Sequence, residues 1–126
     1  MLLSVRLRPH GDLDSWLDRA AEALELLRVR PGFLRGWIGR SPDDAGEFLL
    51  SAEFDSVGNC RRALSAADVR PILWPLLADA DTGTTTYEIL ASGNPTSPVQ
   101  RLVSDLAWDA DEVRLGAVPA PTELRE

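Results

Sequence analysis

The sequence contains no lysine: all thirteen of its basic residues are arginine. That absence excludes Schiff-base chemistry from the chain, and with it lysine-anchored pyridoxal phosphate and the lysine of a phosphate-binding P-loop. Histidine and cysteine occur once each, as His10 and Cys60, so neither a Cys/His zinc site nor a disulfide within the chain can be assembled. A metal would need carboxylates, and no acidic cluster has suitable spacing; no cofactor is expected. Long apolar runs are missing too. No stretch approaches the roughly 20 residues of a membrane span, and the segment from Met1 to Arg8 lacks the apolar core of a signal peptide. A cytoplasmic chain without membrane contact is the expectation. Positive charge is also in short supply: against 20 acidic residues the formal net charge is −7, which opposes nucleic-acid phosphates and anionic lipid as partners.

What is present is enough for one modest core in 126 residues. A domain this small leaves much of its surface uncovered, so burying an apolar face against a second copy is a natural source of stability. Leu3, Val5 and Leu7 alternate with Ser4, Arg6 and Arg8, which reads as a first strand. Pro9-His10-Gly11 breaks it. Asp12 can then cap a helix carrying Leu13, Trp16, Leu17, Ala20, Leu24 and Leu27 at helical spacing and ending near Arg28. After the turn Arg30-Pro31-Gly32, two strands joined by a hairpin loop fit Phe33–Arg40 and Glu47–Phe54. Strict alternation puts Phe33, Arg35 and Trp37 on one face of the second strand and Leu34, Ile38 and Arg40 on the other. The third strand reads as apolar on both faces, which requires cover on both. Helices can shield one side, and a second subunit is expected to shield the other.

Ser56 can cap a short helix through Asn59, Cys60 and Leu64, and Asp68 the next, which carries Val69, Ile72, Leu73, Leu76 and Leu77. Pro71 suits a first turn, whereas Pro75 lacks a donor and predicts a kink or break. Thr84–Leu90 is β-branched and aromatic enough for a fourth strand. The order β-α-β-β-α-β predicts an α+β fold of the ferredoxin-like kind with a four-stranded antiparallel sheet. The domain is expected to span residues 1–91. Residues 92–126 read as a linker, a short amphipathic helix opened by Ser97-Pro98 and carrying Val99, Leu102, Val103 and Leu106, and a partly disordered tail from Asp109. That helix is expected to be an arm, with Trp108 as its anchor, docked on its own domain or on a partner.

The stretches Arg30-Pro31-Gly32-Phe33-Leu34-Arg35-Gly36, Arg40-Ser41-Pro42-Asp43-Asp44, Phe48–Ser56, Arg70-Pro71 and Tyr87-Glu88-Ile89-Leu90 resemble the antibiotic-biosynthesis monooxygenase domain over roughly Leu2 to Leu90. The resemblance implies a dimeric α+β barrel, a homodimer, and a small hydrophobic aromatic substrate. It also implies a cofactor-independent monooxygenase that turns a phenol, anthrone or hydroquinone of polyketide type into a quinone with dioxygen. Haem-degrading members use a histidine between strands 3 and 4; this chain has none there, and Phe54 stands where many relatives carry tryptophan. A non-catalytic small-molecule-binding or regulatory domain of the same fold is the rival reading.

Such an oxygenase must take a proton from an electron-rich substrate and hold the anion in a water-poor pocket. Asn59 is the first candidate, as an amide aimed at a phenolate; its plainer reading is a polar residue on a short helix. Tyr87 can hydrogen-bond a substrate or satisfy its hydroxyl locally. His10 is the one side chain expected to titrate near neutrality without perturbation, and otherwise an exposed loop residue. Trp37, Trp74, Phe33 and Leu77 are candidate walls for an aromatic ligand, with core packing as the alternative. Arg35, on an apolar face, calls for an anionic ligand or an acid such as Glu53 or Glu88. Cys60 reads as a small buried hydrophobe.

Overall fold

The structure is a computed structural model, and it describes residues 1–80 and 85–104. They form two compact units, 1–88 and 89 onward.

In the first unit, β1 (Leu2–Leu7), α1 (Leu13–Arg28), β2 (Phe33–Arg40), β3 (Phe48–Phe54), α2 (Val57–Leu64), α3 (Arg70–Leu77) and β4 (Thr86–Tyr87) follow one another. The sheet is antiparallel with strand order β2-β3-β1-β4, the ferredoxin-like arrangement the sequence predicts. β4 is shorter than expected, and Thr84 lies outside the described residues.

Two caps follow the sequence reading. Asp12 accepts from the Ser15 amide at 2.9 Å and starts α1, and Ser56 accepts from the Asn59 amide at 3.1 Å and starts α2. Asp68 does not cap α3. Val69 occupies that position without a side-chain bond, and Asp68 instead faces Arg30 at 3.7 Å. Nor does Pro75 break α3, which runs through it to Leu77. Pro71, whose carbonyl Pro75 leaves without a donor, is exposed, so water can take that donor's place.

Residues paired across an antiparallel ladder share a face. Leu3, Val5 and Leu7 pair with Ala52, Leu50 and Phe48, and all six are buried. With Trp16, Ala20, Ala23 and Leu27 of α1 and Leu73 and Leu76 of α3 they make the core, so the helices cover this side. Trp16 packs on Phe48 at 5.1 Å. Gly36 matters here, because a side chain at that position would collide with Leu24 of α1 and with the Ser51 carbonyl.

The other face differs from expectation in two ways. On β2 the register shifts between Phe33, opposite Phe54, and Arg35, opposite Glu53, leaving Leu34 as an extra residue. The bulge returns Phe33 to the core side, edge-on to Phe54 at 5.5 Å and in phase with Gly36 and Ile38, while Arg35 and Trp37 remain on the uncovered side. β3 is also less apolar there than its sequence suggests. Its outward residues are Leu49, Ser51 and Glu53, beside Leu2, Ser4 and Arg6 of β1 and Tyr87 of β4. The face turned away from the helices is, among the described residues, mixed rather than uniformly apolar.

The second unit holds β5 (Ala91–Asn94) and β6 (Ser97–Arg101), an antiparallel hairpin turning at Pro95-Thr96. This replaces the helix expected from Ser97-Pro98. Val99 lies within β6 instead of starting an apolar helical stripe, and Asn94 closes the turn by accepting from the Thr96 amide at 2.9 Å. Leu106, Trp108 and the tail from Asp109 lie outside the described residues.

Candidate functional site

Between the sheet and the ends of α2 and α3 the first unit holds a half-open cavity of about 320 Å³. Leu3 and Val5 of β1 form its floor, Leu64 ends α2 on one side, and Leu73, Trp74 and Leu77 of α3 lie on the other; Ser65 and Thr85 complete the lining. The helical spacing of Leu73 and Leu77 directs both to the same flank of α3. The lining is almost wholly apolar and carries no ionisable side chain. Its polar groups are few and partly committed. Ser65 donates through Oγ to the Arg61 carbonyl at 2.7 Å, and the Trp74 indole N–H donates to the Leu64 carbonyl at 3.3 Å. The Thr85 side chain has no hydrogen-bond partner among the described residues.

Of the residues singled out in the sequence, Trp74 and Leu77 line this cavity. Asn59 does not. Its Nδ2 donates to Asp55 at 2.9 Å and its Oδ1 accepts from Arg62 at 2.8 Å. It also packs so closely on Gly32, at φ 85°, that any side chain there would strike it. Tyr87 lies opposite Leu2, on the uncovered sheet face. Trp37 is on that face too, half-exposed, with the Arg35 guanidinium 5.9 Å from its ring centre. Arg35 has found an acid: its Nε donates to Glu53 at 2.9 Å. Phe33 belongs to the core side. His10 is exposed and sits 3.3 Å from Asp79. Cys60 is fully buried, and burial pushes its thiol pKa up.

Two further hollows occur among the described residues. One of about 650 Å³ runs along the hairpin of the second unit, but nearly all its walls are exposed, Val99 and Val103 most of all. The other, about 300 Å³, lies at the β2–β3 end of the sheet by Arg6, Gly39 and Leu49. The α2–α3 cavity has the most apolar lining of the three, so we take that cavity as the site.

The structure is similar to that of SnoaB, a cofactor-independent oxygenase from Streptomyces nogalater. In a mutant form of SnoaB the TM-score is 0.59 at 18% identity, covering 84% of this chain and 93% of that one. The fold is shared. A putative antibiotic biosynthesis monooxygenase from Chloroflexus aurantiacus matches with a TM-score of 0.55 at 22% identity, over 73% of this chain and 95% of the other. One from Nitrosomonas europaea matches with a TM-score of 0.55 at 19% identity, over 63% and 76%. No family model and no curated protein sequence matches the chain. The architecture is therefore that of the antibiotic-biosynthesis monooxygenase structures. Six of the residues that line the cavity, Leu3, Val5, Leu64, Ser65, Leu73 and Thr85, were not singled out as site residues in the sequence. The alternation of β1 and the four-residue spacing of Leu73 and Leu77 were signals for some of them; Ser65 and Thr85 are placed only by tertiary structure.

Proposed function

We propose that the chain is a cofactor-independent monooxygenase that binds a small, uncharged aromatic molecule in the α2–α3 cavity and oxidises it with dioxygen. The observation that carries this reading is an apolar cavity in a chain with the fold of SnoaB, a protein described as a cofactor-independent oxygenase. An anthrone, phenol or hydroquinone suits such a lining, since nothing in it compensates a charged ligand. For an anthrone the reaction balances without another reagent. The reacting methylene gives up two hydrogens, one oxygen atom becomes the quinone carbonyl, and the other leaves as water. Trp74 and Leu77 hold the rings, and the Thr85 hydroxyl is the donor available to a developing oxyanion. We further propose that the working unit is a homodimer, joined through the sheet face that carries Trp37, Tyr87 and Leu49.

A second reading, a non-catalytic binding domain, is favoured by one observation: no lining residue can take a proton. An oxygen electrode separates the two. Oxygen uptake with anthrone or naphthohydroquinone above the uncatalysed rate, abolished by Leu77→Trp, supports the oxygenase. Calorimetric binding without uptake supports the binding domain, and no binding at all removes both.

A further inference from the structure

We infer that Trp74 is the specificity-determining residue of this cavity, a wall held in place by the end of α2 as well as by its own helix. The inference rests on the reading of the cavity as the ligand site. Trp74 lines the cavity and yet is 54% exposed, so its ring stands at the boundary between the cavity and solvent. A half-exposed side chain at such a position ordinarily samples several rotamers. This one is tethered twice.

The indole N–H reaches the Leu64 carbonyl at 3.3 Å. That carbonyl belongs to the last residue of α2, where helical carbonyls run out of donors. The next backbone donors, Ser65 and Ala66, turn back to Arg61 and Ala63, which leaves Leu64 to Trp74. Arg70, one turn earlier on α3, stacks its guanidinium 5.6 Å from the ring centre. One tether crosses from α3 to α2 and the other runs along α3. Together they fix a rigid bicyclic plate at the rim, and the space left behind it sets the largest ligand that fits.

The test compares two uncharged probes of different size, 1-naphthol and 9-phenanthrol, by calorimetric titration of the full chain, Trp74→Ala and Trp74→Phe. Removing the plate in Trp74→Ala is expected to move the ratio of the two affinities about tenfold toward the three-ring probe, the scale at which apolar pockets discriminate size. Trp74→Phe keeps a ring but loses the tether to Leu64, and a smaller shift in the same direction is expected. A merely structural role would weaken both probes alike and leave the ratio unchanged. An unchanged ratio in both variants, with the unaltered chain binding, overturns the inference and leaves the cavity reading standing. Failure of the unaltered chain to bind either probe overturns the cavity reading itself and this inference with it.

Discussion

Arg35 donates through Nε to Glu53 at 2.9 Å on the face of the sheet turned away from α1, α2 and α3. The pair is directly cross-strand, and Trp37 lies beside it under the same guanidinium at 5.9 Å. An exposed ion pair of this kind contributes little to stability by itself. What it does is occupy part of a face whose other outward groups include Leu2, Leu49, Trp37 and Tyr87, a mixture typical of an association surface rather than of a core.

The homodimer proposed for that face predicts a concentration-dependent assembly that one substitution disrupts. Trp37→Glu places a carboxylate near Glu53 and, across a two-fold interface, near its own copy. Sedimentation equilibrium is expected to show a dimer for the unaltered chain and a folded monomer for the variant, with the thermal midpoint of the dilute protein little changed. A dimer that survives Trp37→Glu unchanged would rule this face out as the contact.

The bulge at Leu34 gives a second prediction. A sheet with a covered side specifies its register strongly, because a slip of one residue exchanges the two faces. Deleting Leu34 removes the extra residue and leaves Phe33 next to Arg35, still opposite Phe54 and in phase with Gly36. The deletion is therefore expected to cost far less in denaturant unfolding than Phe33→Ala, which removes a half-buried aromatic at about 2 kcal/mol or more. A deletion as costly as Phe33→Ala would mean that Leu34 is not the residue the strand can spare.

The same bulge shows where the sequence stops being informative. Period-two alternation in β1 and helical spacing in α1 predict both elements and the sides they bury, because each is long and its apolar residues have one period. β2 is equally periodic along its length, but an inserted residue resets the phase, and nothing local marks Leu34 as the insertion. Ser97-Pro98 carries a helix-start signal that the backbone pairing of Ala91 with Arg101 and Ser92 with Gln100 overrides. Asn59 illustrates the corresponding limit for sites. Its amide is the residue type the chemistry calls for, yet two partners and the tight turn at Gly32 engage it. Trp74 and Leu77 were legible as possible walls; that their neighbours would include Thr85 depended on β4 pairing with β1.

Acid sensitivity should have a local origin at the β2–β3 hairpin. The Arg8 guanidinium, followed by the Gly46 amide, holds the Asp44 carboxyl below its ordinary value of 3.8. A carboxyl lowered on folding stabilises the folded chain above its unfolded pKa, and that contribution is lost as pH falls through the lowered folded value. The stability difference between the unaltered chain and Asp44→Asn is therefore expected to be constant near neutrality and to shrink below about pH 4. Both groups are about half-exposed, so added salt should reduce it as well. A difference that persists undiminished at pH 2 would show that Asp44 acts through something other than its charge.

Cys60 offers a measure of how the first unit opens. The side chain is fully buried in α2, and burial raises its thiol pKa above the ordinary value of 9.0. Thiolate is the reactive form, so the folded chain suppresses alkylation twice, by exclusion and by protonation. Iodoacetamide labelling at pH 8 is expected to be slow in buffer and to accelerate with denaturant in step with the loss of tertiary structure. The sign of the linkage follows from the same shift. Below the unfolded thiol pKa both states are protonated and the group leaves stability unchanged; above it the unfolded chain ionises first, so stability falls as pH rises through and beyond that value until the folded thiol also ionises. Cys60→Ala should flatten this alkaline limb at a modest cost in packing. Rapid labelling in buffer, at a rate close to that of the unfolded chain, would mean that α2 detaches from β3 without global unfolding, and the cavity that α2 helps to close would then be open for much of the time.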